Sequence, residues 1–220
     1  MKRILSFLLA AVLAGGAHGA TYIVTNNQGT DSSAVVDNTG VRLSSTTGSA
    51  VFGVFSTPPG DTAVTSATSA ASLLSTFTQF GSNQATFTDF SLSPPPAQYT
   101  GLFTLQATVS DGGLNPTFQN KNIYLIVGNA TTLAAASQFL VIKFTATFGD
   151  LVSPSSSTLT LDTANTDYTV LRGSKTGPSV TVGGSDSTTE PSFQLSLIPE
   201  PSSAMLAAVG ALVLLRRRRS

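Results

Sequence analysis

Apolar and polar residues alternate along several short segments of the chain, and this pattern predicts β-strands. A period of two indicates a strand with one buried and one exposed face, and it is present in segments 103–109, 158–161 and 193–197. Segments 123–127 and 139–144 are apolar on both faces, which is typical of central strands. Further strand candidates are 22–25, 51–55, 86–88 and 168–172. About ten short strands separated by turn residues predict an all-β fold, an antiparallel β-sandwich or jelly-roll-like body.

One segment departs from the strand pattern and predicts a single short helix packed on the sheet. Its apolar residues recur at helical spacing: Ala70, Leu73, Leu74, Phe77 and Phe80. Ser66 or Thr68 would cap this helix and Gly81 would end it. A helical turn is also predicted at 132–137, before the strand that starts at Phe139.

The first 19 residues have the layout of a secretory signal peptide. Lys2 and Arg3 form a charged start, residues 4–16 are apolar, and Ala17 and Gly19 place small residues where a signal peptidase reads the chain. Cleavage after Gly19 is predicted, which defines residues 1–19 as the signal and the following residues, 20–197, as the exported body. An uncleaved membrane anchor is the alternative.

Residues 198–220 form a tail with three parts. Pro199 and Pro201 hold Glu200 in an extended segment that cannot join a helix or a central strand. Residues 202–215 are uncharged and mostly apolar, and would span about 21 Å as a helix, short of the ~30 Å hydrocarbon core. Four cations follow, which resist translocation and can snorkel: Arg216, Arg217, Arg218 and Arg219. The tail predicts a short transmembrane-type helix with the body outside; a buried C-terminal helix is the alternative.

This tail resembles the PEP-CTERM sorting domain of Gram-negative bacteria. The resemblance covers about 22 residues and rests on Pro199, Glu200 and Pro201, the apolar segment and the terminal arginines, in that order and behind an export signal. The resemblance implies processing by an exosortase, a membrane transpeptidase-like protease. It also implies an inner-membrane intermediate and final delivery to the cell surface, exopolysaccharide or extracellular matrix.

Composition argues against most catalytic chemistry in the body. The chain has no cysteine, and its single histidine, His18, would leave with the signal peptide, so a Ser-His-Asp triad and the usual zinc sites lack their residues. Paired carboxylates could serve a glycosidase, but no spacing singles out two of them. Five basic and ten acidic residues give residues 20–198 a net charge of −5, which disfavours nucleic-acid binding. No enzyme, cofactor or metal is predicted, and the oxygens of Asp162, Asn165 and Asp167 fit Asx turns better than a calcium site.

Two classes of function follow from these observations. The leading hypothesis is an exported, non-enzymatic surface or matrix protein, an adhesin or exopolysaccharide-associated scaffold, sorted through its tail. The alternative is a glycan-binding or, less favoured, glycan-cleaving β-sandwich module. Since the chain has no tryptophan, sugar stacking would fall to tyrosines, and Tyr99 and Tyr168 are the candidate contacts.

Overall fold

The computed structural model describes residues 19–26, 33–56, 60–81, 85–86, 100–110, 117–149, 155–182 and 188–198. Within these ranges the strands are β1 (Gly19–Thr25), β2 (Val35–Val36), β3 (Ser49–Phe55), β4 (Phe77–Gln79), β5 (Ala85–Thr86), β6 (Thr104–Ser110), β7 (Asn122–Gly128), β8 (Gln138–Thr147), β9 (Ser155–Thr160), β10 (Tyr168–Arg172), β11 (Ser179–Val182), β12 (Thr188–Pro191), β13 (Phe193–Gln194) and β14 (Ser196–Leu197). The helices are α1 (Gly60–Ser66), α2 (Ala70–Leu74) and a 3-10 helix (Leu133–Ala135). The prediction of a mostly β body is confirmed.

The strands form two larger sheets and two small pairs. The seven-stranded sheet has the order β10-β8-β7-β3-β4, with β14 also paired to β8 and β5 to β3. The three-stranded sheet has the order β6-β1-β9, while β11 pairs with β12 and β13 with β2. The two strands predicted to be central, β7 and β8, each have neighbours on both sides, as predicted.

The seven-stranded sheet buries both of its faces. Inward residues of β3, β7 and β8 share one apolar cluster with residues of the three-stranded sheet, such as Tyr22, Val24 and Leu105. The opposite face carries a second cluster with α1, α2 and the 3-10 helix. Burial on both faces explains why β7 and β8 are apolar at consecutive positions.

The predicted helix is too long, and a second helix was not predicted. Helix α2 stops at Leu74 and is capped by Ser69, whose side chain accepts a hydrogen bond from the Ser72 N–H; neither Ser66 nor Thr68 is the cap. Phe77 lies in β4, which pairs with β3. Apolar residues at helical spacing therefore belong first to a helix and then to a strand. Residues 77–79 form a strand because pairing with β3 stabilises them more than a helix would, since Thr76 and Thr78 are β-branched and have low helix propensity. The helical turn predicted at 132–137 is present as the 3-10 helix.

Not all strand pairs are antiparallel. Strand β1 is antiparallel to β6 but parallel to β9, and β13 is parallel to β2. The purely antiparallel prediction is wrong at these two pairs, since partner choice depends on long crossovers that a local pattern does not reveal.

The predicted membrane segments fall outside this description. No helix within the described ranges is both long and apolar enough to cross a bilayer. The predicted helix at 202–215 and residues 1–18 of the predicted signal peptide lie outside the described residues.

Candidate functional site

The residues just before the predicted sorting motif belong to the folded body. Strand β13 pairs with β2, and β14 pairs with β8. Ile198, which the predicted boundaries place in the tail, is 5% exposed and joins the cluster under the helices. Its N–H donates a hydrogen bond of 3.2 Å to the Ser137 carbonyl. The body is therefore anchored up to the residue that precedes Pro199.

Arg172 ties this last segment to α1. One terminal nitrogen of its guanidinium, Nη2, donates to the carbonyls of Val64 (3.0 Å) and Ala67 (3.2 Å). The other, Nη1, lies 3.4 Å from the Leu197 carbonyl oxygen in a long hydrogen bond. Burial lowers the pKa of Arg172, yet an arginine stays charged in proteins. Arg172 thus links β10, the end of α1 and the start of the tail.

A polar cluster fixes the beginning of α1 to the sheet. Lys143 Nζ donates to Asp61 Oδ2 at 3.0 Å, and the Tyr124 hydroxyl donates to Asp61 Oδ1 at 3.2 Å. Burial, with the charge and hydrogen bond of Asp61, raises the pKa of Tyr124 to about 12. At neutral pH the tyrosine is therefore protonated, and Asp61 forms an ion pair with Lys143. This arrangement fits a structural clamp.

An open cleft of about 350 Å³ lies beside this clamp, lined by Asp61, Asn122, Lys143, Phe144, Thr145 and Thr169. Sequence reasoning missed the clamp and its cleft. One signal was present: Lys143 is the only charged residue in the apolar run 139–144, and a cation at such a position needs a partner.

The loop that was considered for calcium is built from Asx turns, as predicted. The Asp162 carboxylate accepts a hydrogen bond from the Ala164 N–H, and the Asn165 side-chain oxygen accepts one from the Asp167 N–H, both at 2.9 Å. These oxygens serve the loop backbone. Within the described ranges, no group of three or more His, Cys, Asp or Glu side chains is placed to hold a metal ion.

Tyr168 does not offer an exposed face to a sugar. It is 6% exposed, and its ring packs against Phe144 and Phe193 with centroid distances of 6.2 and 5.9 Å. Its hydroxyl donates to the Asp162 carbonyl at 2.6 Å, and burial raises its pKa. Apolar neighbours on both sides explain this burial. Tyr99, the other candidate glycan contact, lies outside the described residues.

Most side chains on the outer face of the three-stranded sheet carry a hydroxyl group, and we call this face the hydroxyl array. Its inner positions, such as Ala20, Tyr22 and Leu105, are buried. Strand register aligns the outer positions in three rows: Thr108, Thr21, Ser156; Gln106, Ile23, Thr158; Thr104, Thr25, Thr160. Two of the cross-strand threonine pairs are joined by hydrogen bonds of 2.8 Å. Seven of the nine residues carry a hydroxyl group and none is charged, although Ile23 at the centre is apolar and Thr25 is only 8% exposed.

The predicted sorting residues follow directly after Ile198 in the chain. Pro199, Glu200 and Pro201 lie outside the described residues, as do the arginines at 216–219.

Comparisons of the chain with protein-family models, with characterised proteins and with solved structures found no match.

Proposed function

We propose that the protein is an exported, non-enzymatic surface or extracellular-matrix protein that an exosortase sorts and processes through its C-terminal tail. The observation that carries this proposal is the three-part tail, which begins directly after a residue anchored in the body. Ile198 is buried, and the prolines at 199 and 201 are expected to disfavour a helix or a central strand at the motif. A folded body would thus present the motif to a membrane enzyme with almost no linker.

The body has the features of a stable carrier or scaffold. We propose that its two larger sheets form the layers of a β-sandwich, since residues of both contribute to one buried cluster. The clamp around Asp61 and the Asx turns around Asp162 both satisfy their own polar groups. With no cysteine and with the single histidine in the predicted signal peptide, these features support a structural role.

Replacing Glu200 with alanine is expected to change the destination of the protein. The motif would lose its only charge, so the exosortase would no longer recognise it, and the variant would stay in the inner-membrane fraction. Cell fractionation with detection of the body measures this. Glu190→Ala is the matched control, because it removes an acid from β12 and leaves the tail unchanged. Delivery of the Glu200 variant at the wild-type level would contradict sorting through this motif.

Neutral-glycan binding is a second candidate function, favoured by the hydroxyl array on the three-stranded sheet. Neighbouring strands lie about 4.8 Å apart and alternate residues about 6.7 Å apart, so the hydroxyls of the two outer rows and of Thr158 are regularly spaced around Gln106 and Ile23. Each threonine also adds a methyl group that can contact the apolar face of a sugar. The lack of charge on the array suits a neutral polymer better than an acidic one.

Removing hydroxyls from this array is expected to weaken binding to insoluble β-glucan. Thr→Val keeps the side-chain shape and removes the hydrogen bonds, so the double variant Thr108→Val/Thr158→Val should pellet with the polymer less than wild type. Thr189→Val is the matched control, because Thr189 also sits in a cross-strand threonine pair but on a different sheet. No binding by wild type, or equal binding by all three proteins, would rule this candidate out.

A further inference from the structure

We infer that one end of the body lies against the lipid headgroups of the membrane while the tail is still attached. This inference rests on the proposed function. We call this end the exit surface and define it by five exposed residues: Leu197 beside Ile198, Ala71, Ala134 and Ala135 on the two helices that share the cluster of Ile198, and Val41. Its occupant is the outer surface of the bilayer into which residues 202–215 insert.

The first argument is the length of chain between the body and the predicted membrane helix. Ile198 is anchored by its burial and by its hydrogen bond to Ser137. Four residue steps lead from Ile198 to Ser202, and fully extended they span at most about 14 Å. The headgroup region on each side of a bilayer is about 5–8 Å thick. A helix that enters the hydrocarbon at Ser202 therefore holds Ile198 within about 14 Å of the hydrocarbon, close to the headgroups.

The second argument is that the two helices and the strands beside Ile198 carry few charges. Ile198 shares its buried cluster with Leu73 of α2 and Leu133 of the 3-10 helix, and these two helices contact each other. Segments 68–81 and 123–142 contain no Asp, Glu, Lys or Arg, although residues 20–198 carry a net charge of −5. Repulsion between this end and an anionic bilayer is therefore expected to be weak, and the guanidinium of Arg172, 3.4 Å from the Leu197 carbonyl oxygen, adds a cation there.

The third argument is the position of the exposed apolar side chains. Among the described residues, two large apolar side chains are more than half exposed, Val41 at 62% and Leu197 at 55%. Leu197 pairs with Gln138, whose side-chain oxygen accepts a hydrogen bond of 2.8 Å from the Asn38 N–H. Asn38 lies in the same tight turn as Val41. These contacts connect Leu197 to the turn that carries Val41, and contact with lipid would cover both side chains.

One acid adjoins this surface, and its carboxylate is already engaged. Asp37 Oδ1 accepts hydrogen bonds from the N–H and hydroxyl of Thr39 and from the Val41 N–H, all between 2.7 and 2.9 Å. These three hydrogen bonds, all to one carboxylate oxygen, hold the side chain of Asp37 within the turn.

A site-specific fluorescence measurement tests the orientation. Because the chain has no cysteine, Ala134→Cys and Thr158→Cys each accept a single label, the first on the exit surface and the second on the hydroxyl array. Residues 20–220 carrying either label are reconstituted into vesicles of phosphatidylethanolamine and phosphatidylglycerol that contain headgroup spin-labelled lipid. The label at 134 is expected to be quenched several-fold more than the label at 158. If the two labels are quenched equally in protein that floats with the vesicles, the exit surface does not lie against the headgroups. The proposal of sorting through the tail is not affected by that result.

A second measurement uses the full-length protein in its native cells. Leu197→Glu and Ala134→Glu place a carboxylate on the exit surface, and Thr108→Glu makes a matched change on the hydroxyl array. Pulse-chase detection of tail loss is expected to slow several-fold for the first two variants and to stay unchanged for the third. Equal rates for all variants would overturn the exit surface while leaving sorting intact. If the wild-type protein keeps its tail, the proposed processing is wrong. The quenching measurement would then decide by itself whether the exit surface lies against the headgroups.

Discussion

Replacing Phe80 with alanine is expected to destabilise the body by about 3–5 kcal/mol, the range for a fully buried phenylalanine. Phe80 is 0% exposed and lies at the centre of an aromatic group. Its ring centroid is 4.7 Å from that of Phe148, 5.1 Å from Phe118, 5.4 Å from Tyr22 and 5.6 Å from Phe52. These partners come from four separate segments, so the cavity has little chance to collapse. Small domains are stable by only about 5–15 kcal/mol, and this loss is a large part of that.

The control for this prediction is Phe77→Ala in the neighbouring strand β4. Phe77 is only partly buried, and the ring contact that it makes, with Phe55, has a centroid distance of 5.2 Å. The same chemical change should therefore cost clearly less stability. Urea unfolding of residues 20–198, followed by circular dichroism, measures both losses. Equal losses would show that the aromatic group around Phe80 does not hold the two sheets together.

Removing residues 193–198 is expected to prevent folding, whereas removing only residues 199–220 should leave the stability of the body unchanged. The shorter segment contains three apolar side chains with little exposure, Phe193 at 0%, Leu195 at 2% and Ile198 at 5%. Burying each contributes about 1.5–3 kcal/mol, so together they approach the net stability of a domain. The segment also pairs first with β2 and then with β8, which connects the two parts of the body.

This prediction bears on where processing can take place. A cut beyond Ile198 would leave every described strand intact, while a cut before Phe193 would remove two of them. Thermal unfolding of residues 20–198 and 20–192, followed by near-ultraviolet circular dichroism, compares the two proteins. A cooperative transition at the same temperature in both would show that the last two strands are dispensable.

The local pattern of the sequence was enough to place most strands of the body. The stretch 168–172 contains aromatic and β-branched residues, which favour strands, and it corresponds to strand β10. The doubly apolar runs became β7 and β8 because both faces of their sheet are covered, a condition visible in the residues themselves. The segment 193–197 was predicted as one strand but forms two, since Leu195 marks the point where the chain leaves β2 for β8.

The interactions that fix the candidate site were not predictable, because they join distant residues. Lys143 and Asp61 are separated by 82 positions, and Arg172 reaches the Leu197 carbonyl across 25. Nothing in either neighbourhood specifies the other. Tyr168 illustrates the same limit: its spacing fits a strand, but only the packing of Phe144 and Phe193 decides that its ring is buried. A sorting motif is different, because another protein reads it as a short linear segment, so it is predicted here from the sequence alone.

The most direct test of sorting through the tail is the mass of the C-terminal peptide of the mature protein, purified from native cells and analysed by mass spectrometry. The proposal predicts a body that is intact through Ile198, ends near Pro199, Glu200 and Pro201, and has lost Arg216, Arg217, Arg218 and Arg219. Mature surface protein that retains all four arginines would contradict it.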